Sequence, residues 1–300
     1  MPLAAFPKCY VDALLVQRTM TVETWIDLAA EHLDVDGLEL YSRLIADRSD
    51  AELAALRTRI ESRGLAMPMM CHSPDFTVPD VDDRRREVER QRVAIRMTQA
   101  LGGRWCRVLS GQSRPGMTRE QGLERAVACI HAVLPDAAEH GVVLILENHY
   151  KDGAWERPEF AQGQELFLEL LERLGDHPHL GVNFDPSNAL IAGEDPLELL
   201  DVVKHRVVTM HASDRYLEGG TTEDLRRVEV DPKLGYSSLL HHGVIGEGLN
   251  DYDRIFATLH AVGFRGWISI EDGAEPEGGL ERLQRSARFL RGKMAEHGLP

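Results

Sequence analysis

The sequence predicts a (β/α)8 barrel with its active site at the C-terminal ends of the strands, and three observations carry that reading. Short apolar runs of strand length alternate with longer stretches of helical periodicity along the whole chain. Eight such units fit in the 300 residues present, and one closed barrel of this kind takes about 250. No glycine-rich strand-to-helix turn of the dinucleotide type occurs, which argues against a doubly wound open sheet.

The units follow in order. "LAAF" (3–6) is the first strand, and in 22–33 the residues Trp25, Leu28, Ala29 and Leu33 share one face of an amphipathic helix. "VDGLEL" (35–40) is the second strand, followed by a helix opened by Asp50 and closed by Gly64. "LAMPMMC" (65–71) is the third, followed by a long helix over 81–102. Five more strands are expected at 104–110, 142–148, 179–185, 206–212 and 266–272. Helices are expected near 118–140, 161–174, 196–204, 251–262 and 277–297. "GVIGEGLNDY" (243–252) precedes a helix without an apolar strand before it and reads as a turn. No linker or composition shift divides the chain, so one barrel domain over 1–300 is expected.

Asp plus Glu outnumber Lys plus Arg by 49 to 34, a formal charge of −15 that would repel a phosphate backbone. The basic run Arg84-Arg85-Arg86 is followed by Glu87 and Glu89 and reads as a solvated helix face. No nucleic-acid partner is expected. Cys9, Cys71, Cys106 and Cys129 form no CxxC pair, and Cys71 and Cys106 lie in apolar runs as buried thiols. The N-terminus does not read as a signal peptide, and no window approaches the roughly 20 apolar residues of a membrane span. A cytoplasmic protein without membrane attachment is the expectation.

The strand ends carry the reactive groups. Strand two ends near Glu39, strand three at His72, strand five at Glu147-Asn148-His149 and strand six at Asp185. Strand seven ends at His211 with Asp214 just beyond, and strand eight at Glu271-Asp272. Singly, a strand-end acid reads as a helix cap or a solvated loop residue. Asp214 could cap a turn, His72 could be a satisfied core histidine, and the His241-His242 pair reads as loop surface. Glu147, Asp185, His211 and Glu271 stand apart, because four consecutive strands each deliver one ligand type. Three carboxylates and one imidazole make a hard shell for one divalent ion, with Mn²⁺ the first choice and Mg²⁺ or Co²⁺ the alternatives. Such an ion polarises a carbonyl, one carboxylate removes the adjacent proton, and a second returns it from the other face.

These residues, read in order, resemble the xylose-isomerase-like TIM-barrel superfamily, in particular its sugar-phosphate isomerase/epimerase group. The resemblance covers nearly the whole chain and rests on "LEN" (146–148), "FDPSN" (184–188), "HASD" (211–214), "GEGLNDY" (246–252) and "GWISIED" (266–272). It implies that Glu147 and Glu271 are both metal ligands and the acid/base pair, with Asp185 and His211 completing the metal shell. It further implies substrate contacts, for which Glu39, His72, Asn188, Asp214 and Arg215 are the candidates. Relatives usually have His three residues after the strand-six Asp, where this chain has Asn188, and Arg215 is a near match to a substrate-binding arginine. The segment "ENHYKDG" (147–153) adds His149 as an acid/base candidate and resembles the metal-dependent α subunits of C-glycoside deglycosidases.

Four functions are therefore weighed. Sugar isomerisation or 3-epimerisation comes first, on an unphosphorylated small carbohydrate. A lyase or deglycosidase cleaving a 3-keto glycoside by elimination would use the same base and metal. Phosphodiester cleavage of the endonuclease IV type needs a histidine-rich cluster that this sequence lacks, and a non-catalytic partner subunit fits poorly with an intact ligand set. The resemblance implies a homo-oligomer, or a heteromer in the deglycosidase case.

Overall fold

The computed structural model describes residues 1–226, 230–231, 235–271 and 277–299. Asp272, set beside Glu271 by the sequence, lies outside them. Twelve strands are present among the described residues: β1 (Leu3–Ala5), β2 (Gly37–Tyr41), β3 (Ala66–Cys71), β4 (Trp105–Val108), β5 (Val143–Glu147), β6 (Leu180–Phe184), β7 (Val207–Ala212), β8 (Asp214–Leu217), β9 (Val230–Asp231), β10 (Tyr236–Ser237), β11 (Leu240–Gly243) and β12 (Trp267–Ile270). Eight of them close a barrel in the order β1-β12-β7-β6-β5-β4-β3-β2. Every neighbouring pair in it is parallel, as crossover helices require.

The helices are α1 (Val11–Leu15), α2 (Val22–His32), α3 (Asp50–Ser62), α4 (Val81–Ala100), α5 (Arg119–Glu139), α6 (Gln164–Leu174), α7 (Pro186–Ile191), α8 (Pro196–Val203), α9 (Tyr252–Ala261) and α10 (Gly279–Glu296). Their starts follow local chemistry. Thr118 and Gln121 form a capping box at α5, and Asp80 and Asp251 accept first-turn N–H groups at α4 and α9. At α3 the cap is Ser49, paired with Glu52, rather than Asp50, which is the first helical residue. The basic run in α4 is solvated as expected: Arg85 pairs with Asp82 and Arg86 with Asp83, one turn back on the same helix. All four cysteines are free and buried.

The barrel floor is apolar. Met69, Val143 and Ile145 pack there with Trp105, Val208 and Trp267. Gly37 makes room for that packing, since a Cβ on it would lie 2.7 Å from the Ala66 carbonyl and 2.8 Å from the Trp267 ring. Every residue of β2, β5 and β6 is buried, so a charged group on these strands exists only where something pairs it.

Three elements depart from the expectation. Short helices α1 and α7 were not anticipated, and the turn reading of 243–252 covers only part of an excursion between β7 and α9. In it β8 pairs antiparallel with β11, matching Arg215 with His242 and Tyr216 with His241. His241 and His242 are therefore half-buried strand residues, not loop surface. No helix among the described residues is long and apolar enough to cross a membrane.

Candidate metal centre

Strand side chains alternate between faces, so each strand-end group shares a face with the residue two places earlier. Glu147 follows Ile145, Asp185 follows Asn183, His211 follows Thr209, and Glu271 follows Ser269. Thr209 Oγ1 donates to Asn183 Oδ1 at 2.8 Å, a polar layer between the apolar floor and the upper rim. At that rim Glu147, Asp185, His211 and Glu271 each offer one ligand atom, all four within 4.8 Å of one another. All are buried, Glu271 least, at 7% exposed.

Three carboxylates so close repel unless positive charge or protons intervene. Burial, and then the charges of Glu271 and Glu147, push the Asp185 carboxyl up. Burial alone would raise Glu147 too, but His211 and Arg107 outweigh it and hold that carboxyl low. Glu271 is lowered against its burial by Lys8 and His211. Burial disfavours a charged His211, yet Glu39, Glu147 and Glu271 raise it well above the ordinary imidazole range. His211, Arg107 and Lys8 thus offset Glu147 and Glu271, and the negative charge left unmet lies at Asp185. A hard divalent ion with oxygen-rich ligands would meet that charge.

The ring of His211 is fixed from behind. Its Nδ1 lies 3.1 Å from Glu147 Oε1 and 3.8 Å from Glu271 Oε2, while its Nε2 lies 3.0 Å from both oxygens of Glu39. Glu39, Cys71 and His211 form a second group of possible ligands. Burial pushes the Cys71 thiol up, however, and it donates to Glu39 Oε1 at 2.9 Å. A protonated sulfur is no ligand for a hard ion. Glu39 is fully buried here, with both oxygens on His211 Nε2, and orients the imidazole.

Glu147 and Asp185 are tied down as closely. Arg107 Nη1 donates to Glu147 Oε2 at 2.9 Å and Asn188 Nδ2 to Oε1 at 3.1 Å. Asp185 Oδ1 accepts the N–H of Ser187 at 2.8 Å, that of Asn188 at 3.2 Å, and the hydroxyl of Ser213 at 2.6 Å. Asp185 therefore caps α7, and all of these contacts fall on one oxygen, Oδ1.

The remaining sequence candidates spread around this cluster. The Asn188 amide faces Glu147. Asp214 has its carboxylate taken up by backbone: Oδ2 accepts from Gly246 and Gly248, and Oδ1 from Asn250 and Arg215. It anchors a loop, in line with the turn-capping alternative. Arg215 is buried with its guanidinium over the Tyr236 ring. His72 accepts or donates at Ser42 Oγ, 2.8 Å away, and burial followed by the Arg107 charge drops its pKa to about 3, so it is neutral. His149 stacks on Tyr150 and sits 3.3 Å from Glu159 Oε2, outside the four-residue group. A cavity of about 660 Å³ is lined in part by Tyr41, His72, Ser73, Asp152 and Trp155 and by none of the four clustered residues. Arg107 separates the two, bonding Glu147 on one side and Ser73 on the other.

Lys8 and Arg107 are charged residues bonded to the cluster that the sequence reading passed over. Lys8 Nζ donates to Glu271 Oε1 at 2.9 Å. The signal for Arg107 was present, a charge inside the apolar run "RWCRVLS", whereas Lys8 follows so short a strand that nothing marked it.

The model of the xylose isomerase-like TIM barrel family matches residues 26–293, and the chain belongs to that family. A 3-oxo-isoapionate decarboxylase of Pectobacterium atrosepticum is 25% identical over 211 residues, 70% of this chain and 62% of that protein. An inosose dehydratase of Geobacillus thermodenitrificans is 25% identical over 143 residues, 47% of this chain and 43% of that protein. The chain thus spans less than two thirds of the length of either relative. A solved D-tagatose 3-epimerase-like protein superposes with a TM-score of 0.74 at 18% identity, over 99% of this chain and 98% of that one. This last likeness speaks for the fold.

Proposed function

We propose that this member of the xylose isomerase-like family is a divalent-metal-dependent enzyme acting next to the carbonyl of a polyhydroxy compound. The carrying observation is the convergence of Glu147, Asp185, His211 and Glu271 within 4.8 Å, with a cation bonded to each glutamate. These four residues would hold one ion, Mn²⁺ by preference, whose chemistry is to polarise a carbonyl and acidify the neighbouring C–H. Glu147, kept ionised by His211 and Arg107, and Glu271, kept ionised by Lys8, are carboxylates placed to exchange a proton with the substrate. Lys8 Nζ donates to one oxygen of Glu271, and that carboxylate holds the ammonium charged.

That ammonium favours loss of a group over simple 3-epimerisation. Inversion asks for a proton taken on one face and returned on the other by two free carboxylates. Elimination asks for a base, which can pass its proton on to the departing oxygen, and for positive charge beside that oxygen, which Glu271 and Lys8 together would provide. The names of the two relatives support this: decarboxylation of a 3-oxo acid and dehydration of a keto compound both proceed through an anion beside a carbonyl. Isomerisation or epimerisation remains the second reading, through the same anion.

The test combines metal analysis with solvent exchange. Protein loaded with Mn²⁺ is incubated in D₂O with an inosose and with D-fructose, and products are read by mass spectrometry and NMR. Deuterium on the carbon beside the carbonyl, loss of turnover with a chelator and its return with Mn²⁺ are expected. Full turnover by protein shown to be metal-free would overturn the proposal. So would product carrying no deuterium and formed without a primary isotope effect.

A further inference from the structure

We infer that Arg215 and His242 form a carboxylate-binding subsite beside the metal cluster, so that the substrate is a polyhydroxy keto acid rather than a neutral ketose. This rests on the function proposed above and adds the class of compound.

Arg215 is 2% exposed, and its Nε and Nη1 are buried with no hydrogen-bond partner among the described residues. A guanidinium does not deprotonate, and a buried charge without a counter-ion is costly. Its Cζ lies 4.7 Å from the ring centre of Tyr236 and 5.8 Å from that of Tyr150, two rings set at 74° to each other. Guanidinium N–H donors without a partner recognise planar oxyanions.

The arginine is also held ready. Its own N–H bonds Asp214 Oδ1 at 2.9 Å and its carbonyl accepts the Leu249 N–H at 2.8 Å. Gly248 permits that approach, because a Cβ there would stand 2.3 Å from Asp214 Oδ1 and 2.4 Å from the Arg215 carbonyl oxygen. His242 is the cross-strand partner of Arg215 and meets the edge of Tyr236 with ring centres 6.4 Å apart. Arg215 and His242 therefore share one face of the β8–β11 pair. Ser213, two residues before Arg215, donates its hydroxyl to Asp185 and ties this strand to the metal cluster.

A carboxylate fits better than a phosphate. A phosphate would draw on a cradle of backbone N–H groups. The glycine-rich stretch nearby has none to give, since Gly246, Gly248 and Asn250 already donate to Asp214.

Calorimetry on the Mn²⁺-loaded protein tests the inference with three probes: 5-keto-D-gluconate, D-fructose and D-fructose 6-phosphate. Metal content is measured for each variant. The keto acid should bind at least about tenfold more tightly than either other probe, the scale of one charge-assisted contact. Arg215→Gln should bring it to the level of the ketose with metal content unchanged, and Arg215→Lys should keep part of the preference. Equal or tighter binding of either other probe, no binding of any probe, or a preference that survives Arg215→Gln would overturn the subsite. Asp185→Asn separates the two readings. If it leaves metal content untouched while the acid preference stands, the metal reading fails and the subsite holds. A missing preference in protein whose metal responds to Asp185→Asn sinks the subsite alone.

Discussion

Glu147 and Glu271 occupy matching places, each closing a barrel strand within reach of His211, yet their surroundings differ. Glu147 is fully buried and receives Arg107, Asn188 and His211. Glu271 is 7% exposed and receives Lys8, itself 21% exposed in its side chain. One flank is a closed ionic core whose geometry is fixed by several neighbours. The other is an ion pair with Lys8, less deeply buried. The difference teaches that equal positions in a barrel do not give equal roles: the closed flank sets where an ion would sit, and the open flank meets whatever arrives.

The largest expected effect comes from removing the acid of each flank in metal-free protein. Glu147→Gln leaves the Arg107 guanidinium, 4% exposed, without its closest counter-ion and should cost about 3–5 kcal/mol in urea unfolding. Glu271→Gln leaves Lys8 partly in water and should cost about 1 kcal/mol. Equal losses would erase the asymmetry. Next comes Glu39→Gln, which loosens the hold on His211 Nε2 and should weaken metal affinity about 10- to 100-fold in a competition assay. An unchanged affinity would mean that the ring is held by the cluster alone.

A smaller effect concerns protons. The Asp185 carboxyl is raised by burial and then by Glu271 and Glu147, and His211 is raised by its carboxylates against its burial. Both must be deprotonated to ligate, so loading a divalent ion should release protons. Affinity should therefore fall as pH drops, by up to about tenfold per unit for each proton displaced. Calorimetry in two buffers of different ionisation enthalpy reads the proton count, and a value of zero would contradict the coupling. The smallest effect is His149→Ala, which should leave metal content unchanged because the ring lies against Tyr150 and Glu159. Metal loss in that variant would bring His149 into the centre.

Much of this was legible in the sequence because two periodicities write it there. The apolar runs marked the eight barrel strands to within a few residues, and alternation put the acids after "VVLIL" and "WISI" on the inner face. What escaped depends on contacts between distant residues. Lys8 meets Glu271 across 263 positions, and its sequence neighbours say nothing of that. Glu39 looked like any strand-end acid, and only closure of the barrel brings it to His211. The strands β8 and β11 are four residues each and separated by a long stretch, so their pairing leaves no local alternation to read. Asp185 was read as either a cap or a ligand candidate, whereas its Oδ1 performs the capping and the residue still stands in the cluster.

Asp214 has a consequence for how this scaffold can be altered. The chain leaves the barrel at Asp214 and comes back at Asn250, and a single carboxylate holds both ends by accepting N–H groups from Arg215, Gly246, Gly248 and Asn250. Closure of the excursion is thus set by the staple at its base, while the cost of a longer or shorter loop grows only slowly with length. Between those ends Leu225, Tyr236 and Leu240 pack on Ile191 of α7, so the staple sets where the excursion departs and rejoins while this small core sets how it lies.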